Sequence, residues 1–227
     1  MIDTNKLLEQ FMGGGAGSSA NDTRKATGRG DFVKGAAAGG ILGLLLGSKK
    51  VRKMAGGIVG YGGAAAAGAL AYKAYQNWQQ GKQAATAPVA TREDVKHVDP
   101  RFLPAAIDQG GGNFALTLIT AMISAAKADG HIDANEQAAI FEQVEKQSLD
   151  AESKAVVFDL LRKPVDIEAL VRSVQGIEQA SEVYLVSRLA IDVDHPAERA
   201  YLEALAHRLN LPRDLVLHLD HQVEGAQ

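Results

Sequence analysis

The sequence predicts an all-α protein in which a glycine- and alanine-rich membrane helical segment precedes a compact bundle of about seven helices. Three observations support this prediction. Small residues recur at every fourth position in the first third of the chain, apolar residues recur at helical spacing from Asn113 onward, and no useful strand-like alternation follows. These patterns divide the chain into residues 1–32, 33–80, 81–112 and 113–227.

Residues 1–32 are predicted to be a short amphipathic helix followed by a flexible linker. The segment MIDTNKLLEQFM places Ile2, Leu7, Leu8 and Phe11 among polar residues, without the basic start or cleavage-like run of a signal peptide. The stretch GGGAGSSANDTRKATGRG is rich in glycine and polar residues, which is typical of a linker.

Residues 33–80 contain two runs, GAAAGGILGLLLG and AGGIVGYGGAAAAGALAY, in which small residues recur at intervals of four. This spacing places the small residues on one helix face, where two backbones can approach closely. The positions are Gly35, Gly39, Gly43 and Gly47 in the first run and Gly56, Gly60, Ala64 and Gly68 in the second. The segment is therefore predicted to pack helix against helix in a membrane, within one chain or between copies.

The lengths of the two runs limit this prediction. Residues 35–47 would form about 20 Å of helix, which is shorter than the roughly 30 Å hydrocarbon core of a bilayer. Residues 55–72 are just long enough, and Tyr72, Tyr75 and Trp78 cluster where such a span would reach the membrane surface. We expect a glycine-packed helical pair or one span with a re-entrant partner, and a soluble Gly/Ala segment is the alternative. Basic residues on both sides of the first run compete for the cytoplasmic side, so the sequence does not decide on which side of the membrane the C-terminal domain lies.

Residues 81–112 are predicted to be a tether, because they contain several prolines and the run Gly110–Gly112 and show little periodicity. The middle of this tether is expected to dock on the C-terminal domain through Phe102, Leu103 and Ile107.

The helices of residues 113–227 are delimited by capping residues. The first helix is predicted from Phe114 to Lys127, and Asp133 looks like the N-cap of the second, with Glu136 completing a capping-box pattern. Later helix starts are indicated by Asp150, Asp166, Pro196 and Pro212. Short connections between such helices predict a compact bundle.

Two acidic segments interrupt the helical pattern, AAKADGHIDANEQAAI and AIDVDHPAERAYLEAL. The first matches the back half of a calcium-binding EF-hand loop, but Ala125 and Lys127 stand at the first and third ligand positions, which excludes a true EF-hand. Capping alone explains Asp133 and Glu136, because acidic side chains favour helix N-termini. The alternative is a shared cation site with the carboxylates Asp129, Asp133, Glu136, Asp192, Asp194 and Glu198.

Composition and motifs exclude several classes of function. Residues 1–99 carry 13 Lys and Arg against 7 Asp and Glu, whereas residues 100–227 carry 11 against 20, so nucleic-acid binding by the C-terminal part is not expected. The absence of cysteine excludes disulfides, thiolate zinc sites and cysteine nucleophiles. No nucleophile elbow or phosphate loop is found, and the chain is not expected to be an enzyme. His218 and His221 are interpreted as surface residues.

The segments AAKADGHIDANEQ and LAIDVDHPAERAYLEALAHRLNLP resemble the TerB-like domain, the helical module of tellurite-resistance proteins. The whole chain looks like the YebE-like family of bacterial inner-membrane proteins, over roughly residues 33–75 and 110–223. The resemblance implies a seven-helix fold with a divalent cation, Ca, Mg, Mn or Zn, at the acidic motifs. One departure is that Asp192 is followed by Val193, where TerB-like second motifs often have glycine.

These observations together predict an inner-membrane-tethered interaction or sensing module whose partners are membrane lipid, further copies of the chain and an unidentified protein. Two alternatives stay open. One is a metal-dependent hydrolase that uses the same carboxylates, which would need an open coordination position for a polarised water. The other is a membrane scaffold that oligomerises through its glycine-rich helices.

Overall fold

The computed structural model describes residues 2–12, 58–108, 113–128, 151–191, 193 and 195–226, with side-chain environments undescribed for residues 58–62. Within these ranges the chain forms nine α-helices and three 3₁₀ turns and no strand. The all-α class is therefore confirmed for the described part of the chain.

The helices are named here in chain order. They are α1 (Thr4–Met12), α2 (Ile58–Gln79), α3 (Pro104–Asp108), α4 (Phe114–Ala126), α5 (Ala151–Arg162), α6 (Ile167–Arg172), α7 (Gly176–Leu189), α8 (Pro196–Arg208) and α9 (Arg213–Gly225). The 3₁₀ turns are Ala84–Thr86, Asp94–His97 and Pro100–Phe102.

Several predicted helix boundaries agree with these bounds. Helix α4 begins at Phe114, and the side chain of Asp166 caps α6 by accepting a hydrogen bond from the Ala169 backbone N–H at 2.8 Å. Pro196 is the first residue of α8, where its missing N–H and fixed φ suit a helix start. These boundaries are local, since each depends on residues within one turn of the helix end.

The core is one continuous hydrophobic cluster built mainly by α2, α4, α7 and α9, with α1 packed against α2 and α4. Leu118 and Met122 of α4 and Leu185 of α7 are fully buried in it. The core therefore extends beyond residues 113–227, the range that the sequence suggested for the domain.

Helix α2 contains most of the second glycine- and alanine-rich run, and it lies inside this core. Ala66, Leu70, Ala71 and Ala74 have no exposed surface, and α2 contacts α7 and α9 extensively. No helix among the described residues is both long enough and apolar enough to cross a bilayer. The membrane span predicted for residues 55–72 is therefore not supported, because the small side chains of α2 face other helices of this chain rather than lipid.

Of the eight small residues predicted to pack helix against helix, the structure describes the surroundings of two. Ala64 is buried, and Gly68 lies against the backbone of Phe102 in the turn Pro100–Phe102 rather than against a second glycine-rich helix. The surroundings of Gly60 are not described. The positions that lie outside the described residues are Gly35, Gly39, Gly43, Gly47 and Gly56.

The aromatic residues predicted to sit at a membrane surface instead pack onto the bundle. The ring of Phe102 is fully buried, with its centroid 5.4 Å from that of Tyr72 and 5.5 Å from that of Tyr75. The ring centroid of Trp78 lies 5.7 Å from that of Tyr75, and Trp78 is partly buried against the core. The predicted docking of this segment is therefore confirmed in part: the turn Pro100–Phe102 contacts α7 of the C-terminal bundle, but the Phe102 ring packs on α2, outside residues 113–227.

An ion pair also fixes the segment that follows α2. The Lys73 ammonium donates to Asp94 Oδ1 at 2.8 Å, and Thr91 donates to Oδ2 from both its backbone N–H and its hydroxyl. Burial opposes ionisation of Asp94, but these hydrogen bonds outweigh it and lower the pKa of this carboxyl to about 2. The segment predicted to be a tether is thus attached to α2.

Candidate functional site

Of the six carboxylates predicted to bind a cation, only Glu198 belongs to the described residues. Those outside them are Asp129, Asp133, Glu136, Asp192 and Asp194. Within the described ranges, no group of three or more His, Asp and Glu side chains is arranged to hold a metal ion. The structure therefore describes the helix ends that flank the two acidic segments, and not the predicted ligand set itself.

The second acidic segment ends in a capping box at the start of α8. His195 is the N-cap, and its Nδ1 accepts a hydrogen bond from the Ala197 backbone N–H at 3.2 Å. Glu198 Oε2 accepts from the His195 backbone N–H at 3.3 Å, which completes the reciprocal pattern. A structural role thus accounts for one oxygen of Glu198 and for the position of His195.

A buried tyrosine connects the helix ends that flank the two acidic segments. Burial raises the pKa of Tyr201, and the neighbouring hydroxyls of Ser187 and Ser124 act in the opposite direction. The Tyr201 hydroxyl nevertheless makes no hydrogen bond of good geometry with a described residue. Ser124 is near the C-terminal end of α4, Ser187 is near that of α7, and Tyr201 lies in the second turn of α8. Both acidic segments therefore start from the same end of the bundle.

Lys127, the residue that argued against an EF-hand, stabilises the end of another helix. Its ammonium donates to two carbonyl oxygens, that of Leu161 in the last turn of α5 and that of Lys163 immediately after the helix. Burial lowers the pKa of Lys127, because the charged form loses solvation. A cationic donor at unpaired carbonyls is the arrangement that a helix C-terminus favours.

A cavity of about 460 Å³ lies between α4, α5 and α6, next to Lys127. Its walls include Leu160 and Leu170 together with Thr120 and Ser173. Both of these hydroxyls donate to carbonyl oxygens of their own helices, at 2.8 Å for Thr120 and 2.7 Å for Ser173. The cavity therefore presents mainly apolar surface and has few free polar atoms to orient a ligand.

The interpretation of His218 as a surface residue is wrong, because its side chain is 3% exposed. Nδ1 lies 2.7 Å from the Asp214 carbonyl oxygen, and Nε2 lies 3.1 Å from the Lys82 carbonyl oxygen. His221 Nε2 lies 2.9 Å from the Ala87 carbonyl oxygen, one helical turn further along α9. The two histidines thus hold the backbone of the segment that follows α2.

Gln222 completes this attachment, and sequence reasoning did not identify it. The Ala90 backbone N–H donates to Gln222 Oε1 at 2.8 Å, and Gln222 Nε2 donates to the Pro88 carbonyl oxygen at 3.0 Å. Asn77 Nδ2 donates to the same carbonyl oxygen at 2.9 Å. The only sequence signal is that His218 and Gln222 are polar residues spaced four apart on the face of α9 that carries its buried leucines.

Glu182 is a second residue that the sequence analysis did not identify. It lies within α7 with no exposed surface, and neither of its carboxylate oxygens has a hydrogen-bond partner among the described residues. Burial raises the pKa of Glu182 well above its usual value. Its carboxyl group therefore favours the neutral, protonated form, since an unpaired buried charge is costly.

Comparison with known proteins places this bundle in a family. A family model described as "Protein of unknown function (DUF533)" matches residues 31–223. The chain belongs to the DUF533 family. An "Uncharacterized protein in ampR 5'region" of Yersinia enterocolitica is 37% identical over 98 residues, which cover 43% of this chain and 70% of that protein. No solved structure matches the chain.

The DUF533 match runs from before α2 to residue 223, two residues before the end of α9, and includes both acidic segments. This extent agrees with the packing of α2 in the same core as α4, α7 and α9. Helix α1 lies ahead of the matched range, although the helices that it contacts lie inside it.

Proposed function

We propose that this DUF533 protein is a TerB-like helical interaction or sensing module without catalytic activity, which binds a divalent cation between its two acidic segments. The observation that carries the proposal is the packing of α8 against α4 and α7, which buries Tyr201 near Ser124 and Ser187, close to the C-terminal ends of those two helices. This packing gives the two acidic segments a common origin at one end of the bundle. Segments that start from the same end can pool their carboxylates around one ion.

The chemistry of the two segments suits a hard cation. Such an ion takes six to eight oxygen ligands, and the pooled side chains Asp129, Asp133, Glu136, Asp192, Asp194 and Glu198 supply enough carboxylate oxygens. Carboxylates brought this close repel one another unless a cation or solvent separates them. In this arrangement Glu198 contributes Oε1, because its Oε2 accepts the capping hydrogen bond from His195.

Calorimetric titration of the full chain with Ca²⁺, Mg²⁺, Mn²⁺ and Zn²⁺ tests the proposal. We expect saturable binding of at least one ion by the wild type and at least tenfold weaker binding by Asp133→Asn. Asparagine caps a helix about as well as aspartate, so this change removes a charged ligand while it preserves a cap. Asp150→Asn is the matched control, because Asp150 immediately precedes α5, and it should leave binding unchanged.

Thermal unfolding gives a second measurement. An ion that binds only the folded chain stabilises it by about 2.7 kcal/mol at a hundredfold excess over the dissociation constant. If no tested cation changes either the heat signal or the melting temperature of the wild type, the acidic residues are caps and the proposed cation site is rejected.

We also propose that residues 33–57 attach the protein to the bacterial inner membrane. The support is the run GAAAGGILGLLLG, which lies outside the described residues and is the remaining candidate now that α2 packs in the core. Leu45→Lys should release the protein from sedimented, carbonate-washed membranes, because lysine costs about 2.5–3.5 kcal/mol in a bilayer. The control Thr86→Lys adds the same charge at an exposed residue. Recovery of the wild type in the supernatant would refute attachment.

A further inference from the structure

The cavity between α4, α5 and α6 is elongated along α4. Its lining residues on this helix recur at helical spacing along one face, from the N-cap Asn113 to the C-cap Lys127, which is a distance of about 21 Å. The short helix α6 and its two caps form a second stripe, which consists of Asp166, Ala169, Leu170 and Ser173. The two stripes line one narrow channel from two helices.

The middle of this cavity is apolar. Its walls there are formed by side chains of all three helices and of the turn after α5, namely Leu116, Ile123, Leu160, Val165 and Leu170. The hydroxyls of Thr120 and Ser173 are already bonded to carbonyl oxygens of their own helices, and Thr117 donates to the Ser173 hydroxyl at 3.3 Å. A ligand in this part of the cavity therefore meets hydrocarbon and must itself be apolar.

The end of the cavity at the C-terminus of α4 carries two lysines. Lys163 is exposed, and Lys127 is partly buried. The Lys127 ammonium has three N–H groups, and it donates to two neutral carbonyl oxygens, those of Leu161 and Lys163. Among the described residues, no carboxylate forms an ion pair with either lysine. Both positive charges are therefore available to an anion that enters this end.

Asp166 is the one carboxylate among the described residues that line the cavity. Its Oδ1 accepts a hydrogen bond from the Ala169 backbone N–H at 2.8 Å, so this side chain is used as the cap of α6. The two lysines outnumber it, and the described lining is positively charged overall. A cationic end beside an apolar channel is complementary to a molecule with an anionic head and an apolar tail.

We propose that this cavity binds a single-chain anionic amphiphile, with its alkyl chain along α4 and its head group at Lys127 and Lys163. The volume of about 460 Å³ falls in the usual range of small-ligand sites. Its narrow shape favours one extended chain over a ring system. The head group is a carboxylate or a phosphate, so the ligand is a free fatty acid or a single-chain phospholipid. The proposal does not depend on the cation site, because it uses none of the carboxylates of the acidic segments.

Displacement of the fluorescent fatty acid cis-parinarate from the full-length chain tests this proposal, because its emission rises in an apolar site. We expect dodecanoate to displace it saturably, and dodecanol, which has the same chain without the charge, to compete at least tenfold more weakly. Octanoate should compete at least thirtyfold more weakly than dodecanoate, since each buried CH₂ group changes the affinity about fourfold. Dodecanoyl lysophosphatidylglycerol distinguishes the two sources: tighter binding than dodecanoate identifies a phospholipid, and weaker binding identifies a free fatty acid.

A variant that fills the cavity separates binding there from binding elsewhere on the protein. Thr120→Phe places a ring in the apolar middle of the channel and should weaken the binding of cis-parinarate at least tenfold. The lost threonine hydroxyl bonds only within its own helix, so the fold should be retained. Thr86→Phe is the matched control, because Thr86 is exposed and does not line the cavity, and it should bind like the wild type.

Charge variants test the proposed head-group contact. Lys127→Gln and Lys163→Gln should each weaken the binding of dodecanoate severalfold and leave that of dodecanol unchanged, so the alcohol reports whether the cavity is intact. Lys163 is the safer of the two positions because it is exposed, and Lys96→Gln, at a remote exposed lysine, should change neither affinity. The proposal fails if dodecanoate does not displace the probe, if dodecanol competes equally well, or if the Thr120→Phe chain binds like the wild type.

Discussion

The backbone carbonyl oxygen of Phe102 lies too close to Gly68 for a Cβ atom to fit there, so α2 and the turn Pro100–Phe102 are in contact through backbone atoms. A backbone oxygen cannot rotate away as a side chain can. This close approach also brings the buried ring of Phe102 against Tyr72 and Tyr75 of α2. The absence of a side chain at Gly68 is therefore what allows the segment after α2 to dock.

The first prediction concerns this contact. Gly68→Ala should lower the free energy of unfolding by about 1–3 kcal/mol, the usual cost of overpacking, despite the higher helix propensity of alanine. Urea denaturation measures the change. Gly225→Ala is the comparison, because its added Cβ meets side-chain rather than backbone atoms, those of Val89, and Gly225 is the exposed last residue of α9, where the helix end can shift, so the loss should be smaller. A Gly68→Ala protein as stable as the wild type would contradict the packing.

The second prediction concerns Glu182 and pH. Its pKa is raised in the folded chain, so the folded state binds more protons, and wild-type stability falls as pH rises above the unfolded value of about 4.3. Glu182→Gln cannot ionise and should be more stable than the wild type by at least about 1 kcal/mol at pH 8. Denaturation curves at pH 5 and pH 8 should show the difference shrinking at the lower pH.

Glu178→Gln is the control for Glu182, because Glu178 lies one turn earlier on α7 and pairs with Arg101 near the surface. Its effect should stay within about 1 kcal/mol, as is usual for exposed ion pairs. A Glu182→Gln protein whose stability follows that of the wild type at both pH values would show that Glu182 has an unrecognised partner.

The third prediction has the opposite pH dependence. The pKa of Asp94 is lowered from 3.8 to about 2, so its ion pair with Lys73 contributes stability above pH 4 that is lost as pH falls through this range. Because both side chains are partly exposed, the contribution is about 1 kcal/mol. Asp94→Asn should lower the melting temperature at pH 6 and have little effect near pH 2. An equal loss at both values would point to packing instead.

The fourth prediction concerns the attachment of the segment after α2 to α9. Gln222→Leu leaves the Ala90 N–H without its acceptor and should destabilise the chain by about 1–3 kcal/mol. Hydrogen exchange should become faster across residues 82–92 before the rest of the bundle is affected. Leu217→Ala is the control, because Leu217 is 50% exposed on the same helix, and exchange there should be unchanged.

The sequence by itself determined the helical class and several helix ends of this protein, because these features depend on neighbouring residues. The N-cap at Asp166 and the first-turn proline at Pro196 are recognisable within one turn of each helix. The sequence also located both acidic segments. The tertiary structure alone shows that both segments start from the same end of the bundle. This depends on the proximity of Tyr201 in α8 to Ser124 in α4, two helices that are far apart in sequence.

Only the tertiary structure decided what packs against the small residues of α2. Four-residue spacing indicates that a backbone approaches closely, but lipid-embedded and core helices satisfy the same pattern, and the neighbour of Gly68 lies in a later turn. His218 shows the same limit, because the Lys82 carbonyl oxygen that it contacts lies far away in sequence. A backbone carbonyl has no sequence signature, so polar residues that bind one are indistinguishable from surface residues until the chain is folded.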